Sequence, residues 1–586
     1  MNKTEKLICV LLGLALVGYF MWNANNRPQP AATAPAAPAA ERPAAAAPAP
    51  QPAVPAVPAA PAALPDPAVP ERVEVLSNDV IRLEFSSRGA EVRRATLLGY
   101  ATKVGAIGPD NPPLALDFAD APLGRLEIAG LAPNAAYEVR SVTSNAVVFA
   151  CGPVTRTYTL GAGYVVTLEE SFADESFAQK PNRLSLGTLA KGSGRLDMLS
   201  VDSWDPARND GRGEVVHHDE GESPLKAYLA GGAGGGCSSG SGGDDKPAVK
   251  TVAYPAPQKW IALKNRFFVT ALTGATRGEG ADAAAENPSF EATIRRDASA
   301  PAYAPGSGTV SAVFAGAPAK RTCVFYVGPK KQAVLSDLGL RDVMEFGMWR
   351  VICYPLVWIL NACYDVIPSY GVAIILLTVL VRLVFWPLTH KSTVGMRRMQ
   401  ELQPRLKELQ AKFRDNPQRL QQETWALYRE NKVNPLSSCL PMLIQIPVFV
   451  ALFNVLRTAV ELRYAGFLWI DDLSEPERLF PEAFSAIGGL NILPILMAVT
   501  MALQSWLTPS TGDRSQKKIM VVMMPAMMLF MFYSFPSALS LYWTLSQVFS
   551  IVQMWLIRRQ TAQRAPAVAP TEVIDPPVTR QMKRHQ

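Results

Sequence analysis

The apolar pattern of the chain is centred on residues 370–389, YGVAIILLTVLVRLVFWPLT, an almost wholly apolar run around one charge, Arg382. At 1.5 Å per residue the run is just long enough to cross a bilayer, with Arg382 ~18 Å from its first residue and ~10 Å from its last. Comparable runs recur. Residues 7–22, LICVLLGLALVGYFMW, follow Lys3 and Lys6 without a convincing small-residue cleavage site, and so predict an uncleaved signal anchor with its N-terminus inside. Residues 440–460, 491–507, 519–535 and 539–557 complete six predicted spans, five of them in one bundle.

Between the anchor and the bundle the periodicity changes twice. Residues 27–70 are almost entirely Ala and Pro, which predicts a semi-extended tether with nothing large to bury. From 71 to about 335, short runs such as RVEVLSNDVIRLEF, AVVFACGPVTRTYTL, YVVTLEESF and KWIALKNRFFVTAL alternate apolar and polar positions between turn residues. That period of two predicts a large antiparallel β-sandwich. Residues 336–368 turn helical and amphipathic, with Trp349 and Trp358 among the apolar positions. A span here would place the basic loop after Thr389 on the side opposite Lys3 and Lys6, so an interfacial helix is the reading that keeps parity. Within 391–436, Leu402, Leu406, Leu409 and Phe413, then Leu420, Thr424, Leu427 and Tyr428, mark two amphipathic helices, the second capped by Asn416 with Pro417 at its first position. The predicted organisation is therefore anchor 1–23, linker 24–70, β domain 71–335, interfacial region 336–368, five-helix bundle 369–560 with a helical hairpin at 391–436, and basic tail 561–586.

Charge orients these elements. The net +7 matters less than its placement: residues 390–436 hold ten Lys/Arg against five Asp/Glu, and the tail from Arg558 holds six against two. Both are therefore expected in the cytoplasm, while the acidic 461–482 loop and the β domain face outward. The charges of the hairpin suit a solvated face and a docking site for an acidic or RNA-bearing partner equally well. The seven cysteines are scattered with no CxxC; Cys151, Cys237 and Cys323 lie in the outward domain, where any two can pair and one is left over.

Candidate chemistry starts from Arg382. A fixed charge at that depth costs from ~2.5 to more than ~10 kcal/mol unless water or a counter-ion meets it. The later spans contain no Asp, Glu or His in their bodies, which favours water. Thr378, Gln445, Gln504, Ser546 and Gln547 are the polar residues that can line the same wet groove, although each alone suits an ordinary interhelical hydrogen bond. Met520, Met523, Met524, Met527, Met528 and Met531 recur at spacings of three and four, predicting one broad, adaptable face that suits core packing or changing apolar partners. Two motifs carry little. GCSSG (236–240) formally matches a nucleophile elbow but lies in a polyglycine loop, and His217–His218 reads as a solvated turn with no third metal ligand at zinc-like spacing.

Three segments, KVNPLSSCLPMLIQIPVFVALF (432–453), VRLVFWPLT (381–389) and FPSALSLYWTLSQVFSIVQ (535–553), occur in this order and together resemble the YidC/Oxa/Alb family of membrane protein insertases. The anchor followed by a long β domain resembles the Gram-negative YidC arrangement. Ser437, Ser438 and Trp543 depart from residues common in the family. The resemblance implies a bacterial inner-membrane protein with both termini cytoplasmic and a periplasmic supersandwich acting largely as scaffold. It implies that Arg382 belongs to a groove open to cytoplasm and lipid but closed outward, and that substrates slide along the third and fifth spans, the fifth carrying Met520, Met524, Met527 and Met531. It also implies nascent membrane proteins, the Sec translocon, the ribosome and the bilayer as partners, with no metal, no cofactor and no covalent catalysis. A polytopic transporter or channel is the alternative, and would be expected to carry intramembrane acids or repeat symmetry. An intramembrane protease would need a Ser–His or carboxylate pair within the spans.

Overall fold

The structure, a computed structural model, describes residues 70–190, 197, 199–211, 213–219, 249–254, 256–278, 284–296, 306–414, 416–431, 433, 440–484, 489–507 and 518–564, all within one compact unit spanning 53–586. The predicted anchor, the Ala/Pro linker, GCSSG and the tail beyond 564 lie outside the described residues.

Alternation in the first half produces two antiparallel sheets, of nine and ten strands among the described residues. The quoted segments fold as hairpins or strands: Val73–Ser77 with Ile81–Ser86, Ala146–Cys151 with Val154–Leu160 and then Val165–Phe172, and Ile261–Lys264 with Phe268–Arg277. Their inward positions meet in a common core, where Phe85 lies 5.0 Å from Tyr158 and 6.3 Å from Phe149 between ring centres. The alternation also carries charge inward. Arg156 and Arg321, both fully buried, converge on Glu170, with Nε donating to its carboxylate at 3.1 and 2.8 Å. Arg156 further donates to Gly89 O and Ala90 O, and Arg321 to Asn182 Oδ1, so the network is satisfied on all sides.

One sequence expectation is corrected here. His217 and His218 lie on the strand Glu214–Asp219, paired with Ser200–Asp205, and not in a turn. His217 Nδ1 sits 3.0 Å from Asp202 Oδ1, a long-range contact that the polar flanks of the dipeptide do not reveal. Cys151 and Cys323 are both free, and Cys323 is buried in the core; Cys237 lies outside the described residues.

The second half is helical. Helix α1 (Arg350–Val366) buries Cys353, Leu356, Val357 and Leu360 and exposes Val351, Trp358 and Val366, the single stripe of an amphipathic helix. Helix α2 (Tyr370–Glu401) runs 32 residues, so the arginine helix does not stop at Thr389 but continues as one rod toward the hairpin. The hairpin is α3 (Gln403–Lys412) and α4 (Pro417–Glu430), with Asn416 Oδ1 accepting from Arg419 N at 3.0 Å. Helices α5 (Leu440–Thr458), α6 (Ile492–Leu507), α7 (Ile519–Phe532) and α8 (Ser537–Arg564) complete the bundle. Among the described residues, Tyr370–Gly395 is the one helix long and apolar enough by itself to cross a membrane. The apolar parts of α5, α6 and α7 are shorter, at 14, 16 and 14 residues.

Candidate functional site

Arg382 sits on α2 with one face of the helix packed inward through Ala373, Ile374, Leu377 and Thr378, and the opposite face exposing Leu380, Leu383, Val384 and Trp386. Thr378 is fully buried and gives its hydroxyl to Ile374 O at 2.7 Å, satisfied within its own helix. Arg382 is half-buried and forms no ion pair or hydrogen bond among the described residues. It borders a pocket of about 430 Å³, part of it open, whose walls are Val381, Phe385, Leu388 and Val448 and whose polar lining is Arg382, Thr389 and Gln445. Such a space has room for a few waters.

Two side-chain bonds stitch the pocket across three helices. Gln445 Nε2 on α5 donates to Tyr542 Oη on α8 at 3.2 Å, and Gln553 Nε2 on α8 donates to Thr389 Oγ1 on α2 at 2.9 Å. The two α8 partners are roughly 16 Å apart along the axis, so the bonds bracket the pocket. Tyr542, Thr389 and Gln553 were not singled out from sequence. Helical spacing carries the signal: Thr389 follows Arg382 by two turns, and Tyr542, Ser546 and Gln553 follow one another by four and seven residues.

The remaining polar candidates are placed differently. Gln504 on α6 and Gln547 on α8 are half-buried, Ser546 is buried, and none of them lines this pocket. The Ser540 and Ser546 hydroxyls and the Trp543 indole N–H are buried without a partner among the described residues. Each is a polar group whose burial costs about 1–3 kcal/mol until something meets it.

Toward the Thr458 end of α5 the pocket stops at a cluster of aromatic rings. Phe449 meets Trp543 edge-on at 4.9 Å and Phe532 at 6.1 Å, and Phe535 lies 5.4 Å from Phe453 and 5.2 Å from Phe532. These five rings, from α5, α7, α8 and the turn before it, form one contiguous aromatic cluster. Beyond the rings a loop ties the helix ends together. Glu477 accepts from Ile492 N and Leu493 N, both at 2.8 Å, capping α6, while Asp472 Oδ1 accepts from Ser474 N and Tyr464 N. Glu475 O accepts from Ser537 N and Oγ at the start of α8.

The methionine face is divided. Met520, Met523, Met524 and Met527 are exposed, Met527 to 59%, whereas Met528 and Met531 are half-buried against the core. The exposed set joins Val522 and Phe530 on α7 and Val499, Leu503 and Trp506 on α6 in an apolar surface that suits hydrocarbon.

Both halves of the chain are similar to known proteins. A family model described as 60Kd inner membrane protein matches residues 362–564, and one described as YidC periplasmic domain matches 240–359. A membrane protein insertase YidC from Syntrophobacter fumaroxidans is 44% identical over 240 residues, 40% of this chain and 43% of that protein's length. One from Geobacter sp. is 31% identical over 497 residues, 83% of this chain and 85% of the relative. A solved structure described as an active YidC insertase with its first transmembrane domain resolved aligns over 83% of this chain and 94% of that one, at 18% identity and a TM-score of 0.33. With both halves matched in order and a relative aligned over most of its length, the chain belongs to the YidC family of membrane protein insertases.

Proposed function

We propose that this chain inserts membrane proteins by offering their polar segments a wet half-groove, with Arg382 as its fixed cation, while their apolar segments leave sideways into lipid. The observation that carries the reading is the half-buried Arg382, without an ion pair or hydrogen bond among the described residues, in a pocket with Gln445 and Thr389. A polar tail crossing a bilayer loses its hydration over ~30 Å of hydrocarbon. A hydrated pocket that reaches partway shortens the low-dielectric path and lowers that cost. Arg382 attracts an acidic tail without holding it, because the surrounding water screens the pair. Burial of the apolar span in lipid then drives release. The exposed methionines on α7, together with the half-buried Gln504 and Gln547, are the surfaces along which a substrate helix passes, whereas Thr378 and Ser546 are buried and serve packing.

On this reading the chain spans the bacterial inner membrane six times, with both termini and the α3–α4 hairpin in the cytoplasm and the β domain in the periplasm. The basic excess of residues 390–436 supports that orientation. The short apolar parts of α5–α7 cover less than ~30 Å, which local thinning of the bilayer accommodates. The hairpin is the surface on which a ribosome and its nascent chain, or the Sec translocon, would dock.

The test is insertion of an acidic-tailed, single-span substrate into proteoliposomes containing the purified chain. Arg382→Ala should lower the yield about tenfold, the loss expected for one charge-assisted contact, and Arg382→Lys should retain most of it. Equal loss in Ala and Lys variants would mean that the charge is not the operative feature.

A further inference from the structure

The strands Ile261–Lys264 and Phe268–Arg277 of the β domain are joined by a three-residue turn. Asn265 builds it, its Oδ1 accepting from Phe267 N at 3.0 Å and Phe268 N at 2.8 Å, and this leaves Arg266 at the tip. The Arg266 side chain is 3% exposed, yet its main partners lie outside its own domain. Its Nε donates to Arg457 O at 2.8 Å, one terminal nitrogen donates to Ser474 O at 2.6 Å, and the other lies 2.6 Å from Glu475 Oε1 and 3.6 Å from Asp197 Oδ1. The planar guanidinium suits this task, since its fixed fork of donors can serve several acceptors at once.

The partners outside the β domain are the last turn of α5 and the loop whose Glu475 carbonyl receives the start of α8, and α5 and α8 are the two helices that carry the pocket's Gln445–Tyr542 bond. Arg457 O belongs to the last turn of α5, where carbonyls lack an intrahelical donor and a cation is favoured. Glu475 is the residue whose carbonyl receives Ser537 N and Oγ at the first turn of α8. Phe453 and Phe535 of the aromatic cluster lie between these two ends. A single residue of the β domain thus holds the end of α5 directly and the start of α8 through Glu475, next to the Phe453–Phe535 pair of the aromatic cluster.

We infer that Arg266 is a positioning residue for insertion: it holds the outer ends of α5 and α8 together over the aromatic rings and keeps the groove shut on the β-domain side. The inference rests on the groove reading of the pocket, and it makes the β domain part of the seal as well as a scaffold. Without Arg266, Arg457 O and Ser474 O lose a buried donor and Glu475 loses its cation, so the helix ends are free to part.

The experiment uses the full chain in proteoliposomes, its native cysteines replaced and Val448→Cys placed in the pocket wall as a probe. A membrane-impermeant maleimide is added on the β-domain side. With Arg266 intact the probe should label slowly. Arg266→Ala should label about tenfold faster and lose insertion, and Arg266→Lys should fall between, because one ammonium cannot reach three acceptors in fork geometry. Unchanged labelling in Arg266→Ala, with the β domain still protease-resistant, would overturn the inference. If Arg266→Ala does not accumulate folded, Arg266→Lys and Ser537→Ala carry the same test, with faster labelling expected in both and unchanged labelling in both overturning it. Arg382→Ala run in parallel separates the two proposals: normal insertion there removes the groove reading, while the labelling of the Arg266 variants still reports the clamp.

Discussion

Arg382 and Arg266 are both cations held out of bulk water, and they differ in what satisfies them. Arg266 has three acceptors within 2.8 Å, whereas Arg382 has none among the described residues and borders an open pocket. The first is built to hold and the second to receive. A third charged group, at the exit of the β domain, is tuned by pH. His217 has its pKa raised first by the hydrogen bond to Asp202, which also pairs with Lys264; Lys264 reaches Glu345 at 2.6 Å and donates to Val343 O at 2.9 Å. Burial works against the Glu345 carboxylate, but Lys264 and Lys330 outweigh it and hold the group down at about 2, so it stays charged through the physiological range. A raised histidine stabilises the fold below its unfolded value near ~6.5, and that contribution is lost as pH rises through the folded value. Lys330, pushed down to about 7 by burial, acts oppositely, adding stability as pH rises above that point. The difference between the native chain and His217→Gln isolates the histidine: in detergent, the native melting temperature should exceed that of the variant at pH 6, and the gap should close by pH 8.5. At this scale the sequence exposed Arg382 and Gln445 because a lone charge and an amide stand out in apolar runs. His217 was hidden because its partners, Asp202 and Glu345, are 15 and 128 residues away.

At the scale of elements, legibility followed locality. Asn416, Pro417 and the leucine spacing specify α4 within one turn, and the hairpin appears where those residues place it. The strand alternation is equally local. Strand partners are not: Phe268–Arg277 pairs with Lys320–Pro329 across some fifty residues, and nothing in either segment names the other. Arg156, Glu170 and Arg321 occupy inward positions of otherwise regular strands, where a charged residue argues for an outward face until its partner is known. The caps of the outer loop are non-local too. Glu477 closes α6 from fifteen and sixteen residues upstream through both carboxylate oxygens. Glu477→Ala should lower the thermal stability of the bundle by about 0.5–2 kcal/mol, the range for losing a capping acceptor, and Glu477→Gln by less. Hydrogen exchange at the α6 amides checks this, with faster exchange expected at Ile492 and Leu493 in the Ala variant.

For the whole molecule, the division of labour runs along the bundle axis. The β domain and the loop carrying Glu475 and Glu477 meet at one end through Arg266; the aromatic rings follow; and the pocket lies along α2, the helix that continues into the basic hairpin region. The spans were recognisable as apolar runs, but their real lengths were not, because α2 continues as a helix past the apolar stretch and α7 begins with a π-turn at Ile519–Met523. Family membership was carried by motifs in the helical half. The most direct test places a photo-crosslinking amino acid at Gln445, in the pocket, or at Met527, on the exposed face of α7, and presents ribosome-tethered nascent membrane proteins of increasing length. Both positions should crosslink the nascent chain, Gln445 to its polar segment and Met527 to its apolar span. A nascent chain that reaches neither position while still being inserted would contradict the account.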